Sequence, residues 1–273
     1  MKHVATDRVG NMNKSNVSYW GLVRELALTD FKLKYQGSVI GYLWSLVKPL
    51  ALFGILYVVF SVFVRFGSGV KNYPLQLLLG IVLWNFFAES TSNAMHAIVD
   101  KGGLIRKVYF PRIVILLATS VSALITLILN MIVVFIFMFF AHVYPDWRSL
   151  LFLPLLVELY LFTLGLSFIL GALFVRYRDF SHIWELALQL LFYATPIIYP
   201  FVLLKTYMKF AALSPITQII QGSRNVLIDP NAITANSLLH LPFILIPYLL
   251  PVVLAVGGYA YFERAAARFA EEV

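Results

Sequence analysis

The chain has 273 residues, 61% of them apolar and only 12% charged, about half the charge of an ordinary soluble domain. So little charge excludes a water-soluble globule and makes this an integral membrane protein. Its net charge of +8 then reads as a bias of basic loops toward one side of a bilayer rather than as nucleic-acid binding. The lack of cysteine excludes disulfides, thiolate catalysis and cysteine-based metal sites.

Residues 1–17 form a polar segment with Lys2, Asp7, Arg8, Asn11, Asn13 and Lys14 and no apolar core, so they do not read as a signal peptide. Residues 18–36 predict an amphipathic helix. Glu25, Thr29, Lys32 and Gln36 fall on one stripe, Trp20, Val23, Ala27 and Phe31 on the other side, and Leu22, Leu26 and Leu33 between them. Tyr19 and Trp20 at its start suit a helix lying in the membrane interface. Asp30 and Lys34 interrupt the apolar side and, four apart, are expected to pair with each other.

Six membrane spans are predicted within residues 41–273. They run from Gly41 or Trp44 to Val64, Tyr73 to Asn93, Ile113 to Ala141, Leu150 to Val175, Ile183 to Tyr199 and Leu241 to Phe262. Each is close to the roughly 20 residues that cross a hydrocarbon core. Lys and Arg number 15 on the side holding the N-terminal segment, the 100–112 loop, Arg176, Arg178 and the C-terminal tail, against 6 on the other. The positive-inside rule therefore places both termini in the cytoplasm. The external stretch 200–240 is too apolar for a free loop at Phe201–Leu204 and Phe210–Ile220, and predicts short helices that re-enter the membrane. The expected fold class is all-α. No internal repeat is visible, which disfavours an inverted-repeat secondary carrier.

The loop Asp100–Arg112, DKGGLIRKVYFPR, is basic, hinged at Gly102-Gly103, and carries Pro111 at the start of the next helix. Leu104, Ile105, Tyr109 and Phe110 would lie exposed at a membrane surface, and predict a patch that another protein covers. The chain contains no G-x-x-x-x-G-K-[ST] phosphate loop, no H-E-x-x-H and no G-x-S-x-G. The chain is expected to have no chemistry or cofactor of its own.

His3, His96, His142, His182 and His240 are scattered and read as interfacial polar residues, as do Glu89 and Glu185. Glu158 lies about a third of the way into the fourth span, either facing a polar pathway or bonding a neighbouring helix while protonated. Trp84, Phe86, Phe87, Phe192, Tyr193 and Tyr199 concentrate on the second and fifth spans. Such aromatic faces suit sugar C–H surfaces as well as plain helix packing. Arg176 and Arg178, two positions apart at the end of the fourth span, suit phosphate recognition or simple anchoring.

Four stretches carry a resemblance to the membrane permeases of polysaccharide-exporting ABC transporters of the ABC-2 class, which includes the O-antigen and wall teichoic acid exporters. Lys34-Tyr35, Ser38, Gly41, Trp44 and Pro49 resemble the start of that family's first span, and Leu104 through Arg112 resembles its cytoplasmic coupling loop. Arg178-Asp179-Phe180 with Leu191-Phe192-Tyr193-Ala194-Thr195-Pro196-Ile197-Ile198-Tyr199 resembles its proline-broken fifth span. Ser214-Pro215 through Gly222 and Arg224 resembles its external segment, with Ser-Pro where Asn-Pro is commoner. Gly102-Gly103 stands where an Asn often precedes the Leu-Ile of the loop.

The resemblance implies a homodimer of six-helix permeases in the bacterial cytoplasmic membrane, with two separate ATPase subunits that hold Mg-ATP. It implies ATPase contact through Leu104, Ile105, Arg106, Lys107, Tyr109, Phe110 and Arg112, and admission of a substrate pyrophosphate near Lys34, Tyr35, Arg176 and Arg178. The implied channel is lined by Trp84, Phe87, Phe192, Tyr193 and Tyr199. Its cargo would be an undecaprenyl pyrophosphate-linked polymer, wall teichoic acid or O-antigen/capsular polysaccharide. The competing readings are an ABC-2 exporter of small drugs or lipids, an ion-coupled carrier, and a membrane enzyme using Glu158, Glu185 and Asp179 on lipid-linked sugars.

Overall fold

The computed structural model describes residues 19–35, 41–65, 69–103, 111–267 and 269, and every regular element among them is helical. Helix α1 spans Tyr19–Tyr35; α2 spans Gly41–Tyr57 and runs on as a π-helical turn over Val58–Phe63. Next come α3, Tyr73–Asp100, and α4, Ile113–Phe140. A 3-10 turn at Trp147–Leu151 feeds α5, Phe152–Arg176, and α6 follows at Phe180–Ala194. A 3-10 segment, Phe201–Tyr207, leads through α7, Met208–Ala212, into α8, Pro215–Leu227. Then come α9, Ala235–Leu238, and α10, Leu245–Ala266.

Four stretches are long and apolar enough to cross a bilayer: Leu43–Phe63, Ile113–Phe140, Trp147–Arg176 and Leu245–Ala266. They overlap the first, third, fourth and sixth predicted spans, the sixth lying four residues further along than Leu241–Phe262. The other two differ for identifiable reasons. Helix α3 continues past its predicted end at Asn93 to Asp100, since nothing between them breaks a helix, and its Gln76, Asn85, Glu89, Ser90 and Thr91 dilute its apolar character. Helix α6 has 15 residues, about 22 Å at 1.5 Å per residue, against a hydrocarbon core of roughly 30 Å. It was predicted to reach Tyr199 but ends at Ala194. Thr195 precedes Pro196 and takes extended backbone at φ −83°, ψ 133°, as the residue before a proline does.

Helix α3 is the pillar of the fold. Leu77, Leu78, Leu79, Ile81, Leu83 and Phe87 are wholly buried as α4, α5, α6 and α8 pack around it. Helices α5 and α10 meet most intimately, at glycines. A Cβ on Gly165 would lie 2.5 Å from Leu254 C and Ala255 N, and Gly258 rests on the Gly165 carbonyl. Small residues are what let two membrane helices bring their backbones together. Polar side chains join other pairs: Trp184 Nε1 donates to Thr91 Oγ1 (3.2 Å), Ser120 Oγ and Tyr160 Oη share a bond (2.9 Å), and Asn130 Nδ2 donates to Ser45 O (3.3 Å).

Helix α1 packs on α4 with Val23 and Ala27 buried and Glu25, Thr29 and Lys32 exposed, in keeping with its sequence stripes. Trp20, on the same stripe as Val23 and Ala27 but at the very start of the helix, is 74% exposed. The Asp30 carboxylate pairs with Lys101 at the C-terminal cap of α3, while the side chain of Lys34, its expected partner within α1, lies outside what is described. The 200–240 stretch folds into α7, α8, α9 and the 3-10 segment. Its apolar content is explained by α8, whose Ile216, Ile219, Ile220 and Leu227 are buried against α5 and α3.

Candidate functional site

Two ends of the α3 pillar hold the side chains of interest. At one end converge the C-termini of α3, α5 and α10 and the starts of α4 and α6; this is the basic end. Lys101 there joins α3 to Asp30 of α1. Arg112, just before α4, stands 5.9 Å over the ring of Phe269. Phe269 is buried and packs edge-on against Phe262 (5.5 Å, 70°), pinning the chain beyond α10 to the bundle. Of the candidate coupling residues only Arg112 is placed, because Leu104, Ile105, Arg106, Lys107, Tyr109 and Phe110 lie outside the described residues. Lys34 and Tyr35 close α1, and their side chains also lie outside what is described.

Arg176 and Arg178 part company. Tyr177 between them is extended at φ −124°, ψ 93°, so the helix ends after Arg176 and Arg178 belongs to the turn that follows. Arg176 stacks on Tyr177 (5.4 Å) and lines a groove between α5 and α10. Arg178 stacks on Phe174 (5.4 Å), whose ring lies 4.5 Å from His96 of α3. The two guanidinium groups thus serve different helix pairs.

The opposite end is organised by Arg224 of α8, which the sequence places in the external segment without assigning it a structural role. It is fully buried. Its Nε donates to Gln76 O (3.1 Å), Nη1 to Pro196 O (2.8 Å) and Nη2 to Ile197 O (2.7 Å). Tyr73 Oη donates to Ile198 O. The carbonyls of Pro196, Ile197 and Ile198 in the break after α6 are therefore taken by α8 and α3, as buried backbone groups require. Burial pulls the Arg224 pKa down to about 10, still far above neutrality, so the guanidinium stays charged. Gly80 makes room for it: a Cβ there would sit 3.0 Å from Arg224 Nη2. A signal was available, because Ile220, Arg224 and Leu227 share one helical stripe, and that stripe is the buried one.

Between the ends lies an aromatic block. Phe87 stacks on Phe162 (5.4 Å, 11°) and meets Trp84 (5.4 Å) and Trp184 (6.2 Å), while Trp84 meets Phe192 (5.7 Å). The candidate lining set divides accordingly. Trp84 and Phe87 are buried inside the chain, Phe192 is half-buried, and Tyr199 Oη donates back to Tyr193 O (3.0 Å) and Ala194 O (3.2 Å). Only Tyr193 stands out from the surface, on a face with Ile183, Leu186 and Leu190. Phe162 and Trp184 were missed, since α5 and α6 reveal their facing sides only when packed. Glu158 of α5 is half-buried near Tyr248 of α10, which also neighbours Gln218 of α8; Glu158 Oε1 has no hydrogen-bond partner among the described residues.

The fold is a helical bundle with four stretches long and apolar enough to cross a bilayer, and the sequence says to which family it belongs. Residues 22–228 match the ABC-2 type transporter family, and the chain belongs to that family. Two proteins of Klebsiella pneumoniae, each called O-antigen export system permease protein RfbA, are 29% and 28% identical to it over 261 residues, 94% of this chain and 97% of each relative. A protein of the same name from Myxococcus xanthus is 29% identical over 259 residues, 93% of this chain and 96% of the relative.

Proposed function

We propose that the chain is the permease subunit of an ATP-driven exporter of a lipid-linked cell-envelope polysaccharide. In this reading it works as a homodimer with two ATPase subunits in the bacterial cytoplasmic membrane, with both termini in the cytoplasm. The observation that carries it is similarity along nearly the whole chain to relatives named as O-antigen export permeases. Those names favour an O-antigen-type polysaccharide over wall teichoic acid. Six spans follow if α2, α3, α4, α5, α6 and α10 each cross, the short α6 being completed by Thr195–Tyr199 under the cover of Arg224 and Tyr73.

The geometry supports a route for force. Helix α3, 28 residues and so about 42 Å long, begins where Tyr73 and Gln76 grip the break after α6 and α8. It ends at Lys101, beside the loop proposed to meet the ATPase. Closure of the ATPase on Leu104–Arg112 would push one rigid rod and move the external segment at its far end. Arg178, with Lys34 and Tyr35, is the proposed contact for the pyrophosphate. The outward face of α6 at Tyr193 is the proposed wall of the polymer path, with Phe192 and Tyr199 behind it and Trp84 and Phe87 as its buried backing.

The test is co-purification with the ATPase and reconstitution in liposomes. Hydrolysis is expected to rise with an undecaprenyl pyrophosphate-linked glycan and not with small amphiphilic drugs. Export that persists with an ATPase-dead partner would sink the reading. The double variant R106A/F110A is expected to abolish export while the permease stays folded and dimeric; survival of both export and ATPase binding would remove the loop from its assigned role.

A further inference from the structure

The groove between the ends of α5 and α10 has no part in the polymer path proposed above. Its volume is about 400 Å³, and Arg176, Tyr177, Tyr261, Arg264 and Phe269 line it. That volume is typical of sites that hold small ligands. Both arginines are exposed, and among the described residues neither has a carboxylate partner. A third cation stands nearby, Arg112 over Phe269. The floor is apolar, made of the buried Phe269 with Ala172 and Leu173. Above the groove, Val253, Val256 and Tyr259 present an exposed apolar face of α10, part of a stretch long and apolar enough to cross a bilayer.

Two guanidinium groups at a membrane boundary, over an apolar floor and below an apolar helix face, match an amphiphile with an anionic head. We propose that this groove seats the phosphate headgroup of an anionic phospholipid from the leaflet at the basic end. Arginine presents paired N–H donors that fit phosphate oxygens two at a time, and the leaflet facing the cytoplasm is the one rich in anionic lipid. The acyl chains would lie along α10. Because α5 and α10 are in backbone contact at Gly165 and Gly258, a lipid bridging Arg176 and Arg264 would clasp the same helix pair at its end. The inference is independent of the polymer reading, since it needs only the membrane and this helix pair.

The full-length chain, released from nanodiscs of mixed phosphatidylcholine and phosphatidylglycerol, is examined by native mass spectrometry. Phosphatidylglycerol is expected to remain bound in preference to phosphatidylcholine, and R176A/R264A to weaken its retention roughly tenfold. R176K/R264K keeps the charge and guards against a misfolded alanine variant; lacking the fork, it is expected to retain an intermediate share, while R178A retains the lipid in full. Three results overturn the proposal. Phosphatidylcholine held as firmly, or equal loss in R178A, would reduce the groove to general surface charge. Displacement of phosphatidylglycerol by added undecaprenyl phosphate through the same two arginines would assign it to the carrier lipid of the polymer.

Discussion

Helices α2 and α3 reverse what a soluble protein would show. The α2 stretch has a mean hydropathy of 2.2, yet only 6% of it is buried. Helix α3 carries Gln76, Asn85, Glu89, Ser90 and Thr91 and is nonetheless the most enclosed of the long helices, with Thr91 wholly buried and accepting from Trp184 of α6. In a bilayer the surroundings are as apolar as any core, so hydrophobicity does not drive a helix inward. What belongs inside is polarity, because a polar group finds its partners on other helices and not in lipid. The apolar faces of α2 and α6 are accordingly exposed in the single chain, whereas α3 is held by polar bonds and close contact.

The comparison can be broken hardest at Arg224. Removing it by R224A leaves the carbonyls of Pro196 and Ile197 without donors and strips Gln76 O, inside α3, of its second one, at about 1–3 kcal/mol for each buried unpaired group. The thermal unfolding midpoint in detergent is expected to collapse, with R224K recovering only part of it. If R224A melts like the parent, the pillar is not held from its outer end.

Next in size is G165A. The added methyl has backbone of α10 at 2.5 Å and nowhere to go, so overpacking of about 1–3 kcal/mol is expected. The equivalent G257A, where a Cβ meets nothing within 4 Å, is expected to unfold like the parent. Smaller again is D30N, which removes the half-buried pair with Lys101; such partly exposed pairs contribute about 0–1 kcal/mol. Its visible effect should be easier proteolysis near α1 rather than loss of the bundle.

The smallest stability change is expected on α6. L190A alters a side chain that is 63% exposed in the single chain, so the monomer should shift by no more than about 0.5 kcal/mol. Export or dimer formation should fall all the same. A large loss of monomer stability with export untouched would mean α6 packs inward and lines nothing.

Much of this was legible in the sequence. Composition pointed to the membrane, four of the six spans predicted from hydropathy are helices long and apolar enough to cross it, the stripe of Glu25, Thr29 and Lys32 foretold the exposed face of α1, and the motifs pointed to the ABC-2 family to which the chain belongs. Other features needed the tertiary structure. Hydropathy cannot separate a lipid-facing leucine from one packed on a neighbouring helix, so it could not tell that Phe87 lies inside while Tyr193 lies outside. Neither could it tell that Asp30 reaches Lys101 in another helix, or that Arg176 and Arg178 turn to different partners. Arg224 marks the boundary most clearly. Its charge and its helical stripe were visible in the chain, but the three carbonyls that make burial tolerable come from α3 and from the break after α6, and only folding brings them to one guanidinium.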